Sequence, residues 1–310
     1  MRVSIVTLLL LLTGGVFAQI TDGSATLDTG TGKIEGTLLY PATSKKVPVV
    51  LIISGSGPTD RNGNNPMMTN NSLKMLAEGL SEKGIASLRY DKRGIAESKS
   101  AGPKESDLRF ETYVDDAEGW VDWLKKDGRF SEICILGHSE GSLIGMIAAR
   151  KKEVDKFISI AGPGSPAGEI LRDQLKAQSP MALELASPFI EKLENGETIE
   201  DVPQMLQMLF RPSVQPYMIS WLKYDPCEEI AKLNKPVLVL QGTTDIQVPV
   251  TEAEKLAEAN KQAKMHLLEG MNHVLKESEM DMQKNAQTYN NPALPLKKGL
   301  VNLIAEFIEE

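Results

Sequence analysis

The chain has 310 residues, a formal net charge of −8, 41% hydrophobic residues and 25% charged residues, values that are ordinary for a globular protein with one large domain. No basic stripe offsets the acidic balance, so the composition argues against nucleic acid as a partner. No cysteine–histidine cluster has metal-ligand spacing, and neither a metal nor an organic cofactor is expected. Cys134 lies inside an apolar run, and we expect both it and Cys227 to be unpaired.

Residues 1–18 are predicted to be a cleavable signal peptide and not part of the fold. Arg2 precedes an apolar run over residues 3–12, and residues 16–18 form a small-residue cleavage pattern. The run is shorter than the roughly 20 residues that cross a bilayer. We therefore expect a secreted or periplasmic protein with a mature domain over residues 19–310 and no stable membrane insertion, and an uncleaved anchor stays the alternative.

Apolar runs of strand length alternate with stretches of helical period along the rest of the chain. Residues 32–40 are predicted to form an antiparallel lead-in. The predicted strands that follow are 47–54, 84–90, 133–136, 154–161, 236–241 and 264–268, and the predicted helices are 73–83, 112–126, 142–150, 251–259 and 296–309. This alternation predicts an α/β fold with a mostly parallel central sheet that is buried by helices on both faces.

Residues 165–230 break the alternation and are predicted to form a helical insertion. The run has no convincing strand pattern, and its plausible helices are 168–178, 180–194, 199–210 and 214–223. A helical insertion between two core strands is in the position of a cap over an active site. Its methionines fit either an adaptable apolar pocket or the core of the insertion itself: Met181, Met205, Met208 and Met218.

The pattern Gly137-x-Ser139-x-Gly141 lies between an apolar strand and a helix rich in small residues. In this context it predicts a nucleophile elbow, a sharp turn that exposes the hydroxyl of Ser139. Gly137 and Gly141 lack the Cβ atoms that would collide across such a turn. A structural turn with an idle serine is the alternative, which the flanking strand and helix disfavour.

A serine hydroxyl needs a base within hydrogen-bond reach, and the chain has three histidines. His138 precedes the serine, and its side chain is expected to point elsewhere. His266 lies within the last predicted strand, where a buried or cross-strand role is expected. His273 follows that strand in a loop at its carboxyl end, where ligand sites form in open α/β sheets. His273 is therefore the predicted base.

Asp245 lies in a loop four residues past the predicted strand 236–241, at the same edge of the sheet. A carboxylate at this place can orient His273 and stabilise its protonated form. An aspartate that only forms a turn or caps a helix is the alternative. The chain order Ser139, Asp245, His273 is the serine, acid, histidine order of α/β-hydrolases, so these residues are predicted to form a catalytic triad.

Two further stretches carry a resemblance to this fold. Residues 53–64, Ile-Ser-Gly-Ser-Gly-Pro-Thr-Asp-Arg-Asn-Gly-Asn, lie where α/β-hydrolases have the oxyanion loop. Residues 89–98 are similar to their Asp-x-Arg-Gly-x-Gly-x-Ser turn, with Ala96 in place of a glycine. The chain resembles an α/β-hydrolase-fold serine hydrolase over nearly all of its mature length, in particular bacterial esterases related to the serine aminopeptidase and dienelactone hydrolase groups.

The resemblance implies an oxyanion hole made of backbone N–H groups. One donor is expected at Glu140, the residue after the nucleophile, and the other at Ser56 in the glycine-rich loop, with Gly57 as the second choice. A phosphate-binding loop is the competing interpretation of residues 55–57, but the Lys-Ser/Thr ending of a P-loop is missing. The carboxylate of Glu140 is a further candidate for contact with substrate.

The loop after residue 59 has the spacing that opens a calcium site, with Asp60, Asn62 and Asn64. Asn65 and Asn71 stand where such a site requires glycine and glutamate, so no calcium is expected. The stretch is instead predicted to be a polar loop at the rim of the active site, whose Asx side chains hold the turn.

Together these features predict a secreted serine hydrolase that cleaves carboxylic esters of short acyl groups through an acyl-enzyme, with a small-molecule ester as its partner. An exported serine aminopeptidase is the first alternative, with Glu184, Glu191 and Glu194 as candidates to bind the amino group of the substrate. A non-catalytic ligand-binding protein on the same fold is the second. The sequence leaves the alcohol partner and the oligomeric state open.

Overall fold

A computed structural model describes residues 20–310, and the predicted signal peptide lies outside them. Within that range the strands are β1 (Ile20–Asp28), β2 (Lys33–Pro41), β3 (Val47–Ile53), β4 (Ala86–Tyr90), β5 (Phe130–His138), β6 (Lys156–Ile160), β7 (Val237–Gly242) and β8 (Lys264–Leu268). They form one sheet in the order β1-β2-β4-β3-β5-β6-β7-β8. The β1–β2 and β2–β4 pairs are antiparallel and the remaining pairs are parallel, which confirms the predicted mostly parallel sheet with its antiparallel lead-in.

Helices cover both faces of this sheet. In the described range they are α1 (Ser72–Glu82), α2 (Phe110–Lys126), α3 (Glu140–Lys151), α4 (Ala167–Gln178), α5 (Pro180–Glu194), α6 (Gln207–Phe210), α7 (Gln215–Trp221), α8 (Pro226–Ala231), α9 (Val250–Ala259), α10 (Met282–Thr288) and α11 (Leu300–Glu309). Alternate residues of the central strand β3 point to opposite cores. Val49 and Leu51 pack with α2, α3 and α9, whereas Val50 and Ile52 pack with α1 and α11.

The strand β8 differs from the buried strands because it forms one edge of the sheet. Lys264, His266 and Leu267 are exposed along it, and Leu268 is the buried residue at its end. The prediction of a buried role for His266 is therefore wrong, whereas its cross-strand alternative holds, since His266 pairs with Leu240 of β7. A pattern of apolar and polar residues predicts a strand, but the place of that strand in the sheet depends on the neighbours it pairs with.

Two predicted helices differ most from the observed bounds. The predicted helix 199–210 is reduced to a 3₁₀ turn at Gln204–Leu206 followed by α6, because Pro203 lacks an N–H and restrains the residue before it to extended backbone. The last helix begins at Leu300 and not at residue 296, since Gly299 precedes it with a left-handed φ of 93°. The helix α10 was not predicted; Asp281 caps it by accepting hydrogen bonds from two backbone N–H groups.

Residues 161–236 separate β6 from β7 and contain α4 to α8; we call them the helical insertion. Their apolar side chains, such as Ile190 of α5 and Phe210 of α6, join the same core as α2 and α3. The insertion is therefore packed against the helices that cover one face of the sheet. No helix within residues 20–310 has the length and apolar character needed to cross a bilayer.

Candidate active site

Ser139 occupies the turn between β5 and α3 in a strained backbone conformation. Its φ of 55° and ψ of −125° are unusual for a residue with a Cβ. A Cβ on Gly137 would lie 2.2 Å from the carbonyl oxygen of Gly141, and a Cβ on Gly141 would lie 2.4 Å from that of Ile53. Both glycines are required at this turn because any side chain would collide with backbone. The geometry is that of a nucleophile elbow.

The strain at Ser139 is fixed by neighbouring strands. Its N–H donates to the carbonyl oxygen of Ile160 at the end of β6, over 3.0 Å, and its own carbonyl accepts from the N–H of Ser142 over 2.9 Å. The serine therefore lies at the carboxyl edge of the sheet, at the N-terminus of α3. The first turn of an α-helix leaves backbone N–H groups without intrahelical partners, and Ser139 precedes this turn as its N-cap residue.

His273 and Asp245 meet at the same edge of the sheet. His273 follows β8 and Asp245 follows β7, and His273 Nδ1 lies 2.8 Å from Asp245 Oδ2. Both residues are more than nine-tenths buried. The tertiary structure thus brings together the predicted histidine and aspartate. It also places the loop of His273 against His138, the residue that precedes Ser139.

Three further donors hold the carboxylate of Asp245. Oδ1 accepts from the backbone N–H groups of Gln247 and Val248 over 2.8 and 3.0 Å, and Oδ2 accepts from Gln241 Nε2 over 3.1 Å. Burial by itself would raise the pKa of Asp245, but the charge and hydrogen bond of His273 and the two N–H groups outweigh it and lower the pKa from its ordinary value. The aspartate is therefore held as an anion facing the histidine ring.

His138 has a larger part in the site than the sequence indicated. Its ring centroid lies 4.8 Å from that of His273, and its Nε2 donates to the carbonyl oxygen of His273 over 2.8 Å. Burial, with the neighbouring His273 ring, lowers the pKa of His138 to about 4. The ring is therefore neutral at pH 7, and it anchors the loop that carries His273. The expectation that this side chain points away from the partners of Ser139 is wrong.

The glycine-rich loop after β3 lies directly over the elbow. A Cβ on Gly55 would come within 3.1 Å of Ser139 Cβ, so this glycine allows the loop to approach the serine. Ser56 and Gly57 line the cavity next to Ser139, and Gly57 has a φ of 72°. Both predicted oxyanion donors, Ser56 and Glu140, therefore border the same space.

The polar loop that follows is held by Asx side chains, as predicted. Asp60 Oδ1 accepts from the N–H groups of Asn62 and Asn64, and Asn64 Oδ1 accepts from those of Asn70 and Asn71. These oxygens are used inside the turn. No group of three or more His, Cys, Asp or Glu residues in the described range is arranged to hold a metal ion.

The carboxylate of Glu140 is buried between two residues that the sequence analysis did not identify. Lys92, in the turn after β4, places Nζ 3.4 Å from Glu140 Oε2, and Tyr217 of α7 donates its hydroxyl to Oε1. Burial and the Glu140 charge raise the pKa of Tyr217 well above its ordinary value, so the hydroxyl stays protonated. Neither Lys92 nor Tyr217 belongs to a motif whose spacing would reveal this contact.

An apolar cavity of about 590 Å³ opens onto Ser139 beneath the helical insertion. The insertion supplies most of its wall, including Ile170 and Leu171 of α4 and Met218 and Trp221 of α7. Met208 also lines the cavity, so two of the four methionines fit the pocket interpretation. The other two, Met181 and Met205, are exposed on the surface of the insertion.

The acidic residues of the insertion do not reach this cavity. Glu184, Glu191 and Glu194 are exposed, and Glu194 pairs with Arg172 over 2.6 Å. Among the described residues that line the cavity, Glu140 is the one carboxylate, and Lys92 and Tyr217 already bind it. Cys134 and Cys227 are unpaired, as predicted, and neither lines the cavity.

The sheet order, the serine at its strand–helix turn and the helical insertion over that turn define an α/β-hydrolase fold. A family model described as "Serine aminopeptidase, S33" matches residues 68–209. Esterase EstD of Thermotoga maritima is 28% identical over 255 residues, which are 78% of this chain. The chain spans 58% of the length of that curated relative.

Solved structures show the same fold. Est1E from Butyrivibrio proteoclasticus superposes with a TM-score of 0.61 at 20% identity, over 93% of this chain and all of that chain. A dienelactone hydrolase from Anabaena variabilis superposes with a TM-score of 0.54 at 15% identity, over 94% of this chain and 98% of that one. The resemblance to bacterial α/β-hydrolase esterases of the serine aminopeptidase and dienelactone hydrolase groups is therefore confirmed.

Proposed function

We propose that this chain is a serine hydrolase that cleaves carboxylic esters with Ser139, His273 and Asp245. The observation that carries the proposal is a serine in a strained elbow that lines an apolar cavity, together with a buried histidine–aspartate pair in contact with His138, the residue before that serine. The strain exposes the hydroxyl, the pair supplies a base of fixed orientation, and the cavity receives an uncharged acyl group. The match to a protein named as an esterase supports this class.

The reaction proceeds through an acyl-enzyme. Ser139 Oγ attacks the ester carbonyl carbon while its proton passes to His273, and the tetrahedral intermediate collapses when His273 returns that proton to the leaving alcohol. Asp245 keeps the ring in the tautomer with a proton on Nδ1 and stabilises the imidazolium. Water then attacks the carbonyl carbon of the acyl-enzyme while His273 accepts its proton. The second tetrahedral intermediate collapses when His273 returns that proton to Ser139 Oγ, which releases the carboxylic acid. The N–H groups of Ser56 and Glu140 stabilise the oxyanion, at about 3–4 kcal/mol each.

A serine aminopeptidase is the second candidate, because the matching family model carries that description. An aminopeptidase must bind a protonated amino group, and a buried ammonium needs a carboxylate beside it. Glu140, the one acidic residue among the described cavity-lining residues, is paired with Lys92. The cavity therefore favours an uncharged ester over a peptide with a free N-terminus.

The acyl group is proposed to be short, as the sequence predicts, and the cavity also has volume for longer acyl chains. A cavity of about 590 Å³ lined mainly by apolar side chains exceeds what an acetyl or butyryl group fills. Short p-nitrophenyl esters should therefore be turned over, and longer chains should gain affinity as they bury more apolar surface.

The test is a matched panel of p-nitrophenyl acetate, butyrate and laurate beside aminoacyl p-nitroanilides. We expect ester turnover that Ser139→Ala abolishes, together with labelling of the wild type, but not of the variant, by a fluorophosphonate. Fast anilide cleavage would make the chain an aminopeptidase. Absence of both turnover and labelling in the folded wild type would leave a non-catalytic binding protein.

We also propose that the protein is exported, with cleavage near residue 19. The support is the charge, the apolar run and the small-residue pattern of residues 1–18. Expression of the full chain in a bacterial host, followed by N-terminal sequencing of the periplasmic fraction, tests this. A cytosolic product that begins at Met1 would contradict it.

A further inference from the structure

Lys92 is a buried cation beside the candidate active site. It follows β4 in the turn 89–98, and its side chain is 1% exposed. Its Nζ donates to the carbonyl oxygen of Gly55 over 2.6 Å and lies 3.4 Å from Glu140 Oε2. It also lies 5.1 Å from the centroid of the Tyr113 ring, a cation–π contact. Nothing in the proposed reaction uses this charge directly.

The contact with Gly55 restrains a peptide unit that matters for the oxyanion hole. The carbonyl of Gly55 and the N–H of Ser56 belong to one planar trans peptide, in which the C=O and N–H bonds point in opposite directions. The described residues contain no cis peptide bond. When Lys92 holds the Gly55 carbonyl on one side, it directs the Ser56 N–H to the other side.

The contact with Glu140 restrains the second donor. Glu140 is the first residue of α3, and its backbone N–H is the predicted partner of Ser56 at the oxyanion. Lys92 and Tyr217 hold its side chain from two directions. One ammonium group therefore binds the glycine-rich loop and the elbow at once.

We propose that Lys92 is a positioning residue that aligns the Ser56 and Glu140 N–H groups on the developing oxyanion. The inference rests on the proposed function. A neutral side chain of similar length cannot replace Lys92, because Gly55 needs a donor and Glu140 needs a positive charge. Burial lowers the pKa of Lys92, and the charge of Glu140 opposes this shift. A buried charge of this kind is costly unless it is paired, and here both partners belong to the site.

The competing explanation is structural. Tyr217 belongs to the helical insertion, so the Lys92–Glu140–Tyr217 network also ties the insertion to the core. A network with only that role would affect stability and would leave the intrinsic chemistry of the folded enzyme unchanged. The experiment must therefore separate transition-state stabilisation from folding.

The main variant is Lys92→Met, which keeps the length of the side chain and removes the charge. We expect kcat for p-nitrophenyl butyrate to fall about 10- to 100-fold with KM changed less than about threefold, because an oxyanion contact acts in the transition state. The Ki of an alkyl trifluoromethyl ketone should rise by the same factor as kcat/KM falls. Ser139 Oγ adds to the carbonyl carbon of this inhibitor, the serine proton passes to His273, and the carbonyl oxygen becomes an oxyanion in the hole.

Arg93→Met is the matched control. Arg93 is the next residue of the same turn and forms a buried ion pair with Asp116, over 2.9 Å from Nε, without contact to Gly55 or Glu140. It should lower the melting temperature and leave kcat of the folded fraction and the ketone Ki within about twofold of wild type. If Arg93→Met reduces kcat as much as Lys92→Met, the role of Lys92 is structural and the proposal fails.

A second pair of variants serves if Lys92→Met does not fold. Glu140→Gln keeps one amide oxygen to accept from Lys92, and its NH₂ group can donate to the Tyr217 hydroxyl; kcat should fall less than in the double variant because the Gly55 contact remains. Lys92→Met combined with Glu140→Gln leaves no unpaired charge but removes the Gly55 donor, and should show the full loss of kcat and of ketone affinity. Equal kcat in these two variants would overturn the proposal.

The outcomes separate this inference from the proposed function. A wild type that shows no Ser139-dependent ester hydrolysis overturns the function and the inference together. A wild type that is active, with Lys92→Met retaining kcat or losing kcat without loss of ketone affinity, overturns the inference alone.

Discussion

At the residue scale, His138 and His273 are neighbours in space whose rings need different charge states. His273 must become positively charged during the proposed reaction, and a second positive ring 4.8 Å away would oppose that step. Burial prevents this, since it lowers the pKa of His138 to about 4. His138 can therefore donate to the carbonyl of His273 as a neutral ring and fix the loop without raising the energy of the imidazolium.

This arrangement makes folding stability depend on pH. The pKa of His138 is about 4 in the folded protein against an ordinary 6.5, so the unfolded chain binds the proton first and stability is lost as pH falls from 6.5 towards 4. The loss from this ring is at most about 3 kcal/mol. His138→Gln keeps a donor to the His273 carbonyl and should flatten this part of the curve, as measured by urea unfolding between pH 4 and 8. The exposed His266→Gln is the control and should not change the slope; equal slopes in all three proteins would contradict the expectation.

Ala96 has a strained backbone conformation. It stands where related turns have glycine, and its φ is 43°. A Cβ in this region is unfavourable, so Ala96→Gly should stabilise the fold by about 0.5–1 kcal/mol after the extra freedom of the unfolded glycine is subtracted. The measurement is the free energy of unfolding in urea. Ala177→Gly in the exposed last turn of α4 should do the reverse, by less than about 1 kcal/mol; destabilisation by both changes would show that Ala96 is not strained.

At the scale of elements, α5 contains a proline that interrupts its own hydrogen bonding. Pro188 lies in the interior of α5 and has no N–H to donate to the carbonyl of Glu184. Pro188→Ala should restore that bond and raise the free energy of unfolding by up to about 3 kcal/mol.

Pro180 provides the comparison, because it begins the same helix. Pro180 is at the N1 position, where a backbone N–H would have no partner within the helix. Pro180→Ala should therefore give no gain in the free energy of unfolding. Thermal unfolding of both variants measures the difference. A gain from Pro180→Ala equal to that from Pro188→Ala would mean that the position within the helix is irrelevant.

Element types followed from local pattern, whereas some boundaries did not. The continuous apolar runs of β3, β5 and β7 predicted buried parallel strands because both faces of such strands are covered. The helix 199–210 was overpredicted because its apolar spacing outweighed Pro203, and α10 was missed because its polar sequence has no apolar face to detect.

At the scale of the whole molecule, the insertion and the sheet edge form the cavity together. Leu171 of α4 lines it, so Leu171→Trp should narrow the space above Ser139. We expect kcat/KM for p-nitrophenyl laurate to fall about tenfold relative to the acetate, since apolar pockets discriminate by size at this level. Leu185→Trp, on the exposed side of α5, is the matched control and should leave the ratio unchanged. An unchanged ratio in Leu171→Trp would place the acyl chain elsewhere.

The sequence by itself determined the alternation of core strands and helices along the chain, the elbow around Ser139, and the two loops that carry Asp245 and His273. These follow from local rules, because period, glycine spacing and chain order act over short distances. Only the tertiary structure decided that His138 anchors the His273 loop, that His266 lies on an exposed edge, and that Lys92 joins Gly55 to Glu140. Those contacts join residues 37 to 135 positions apart, and nothing local marks them, because a buried polar group finds its partner only when the chain has folded around it.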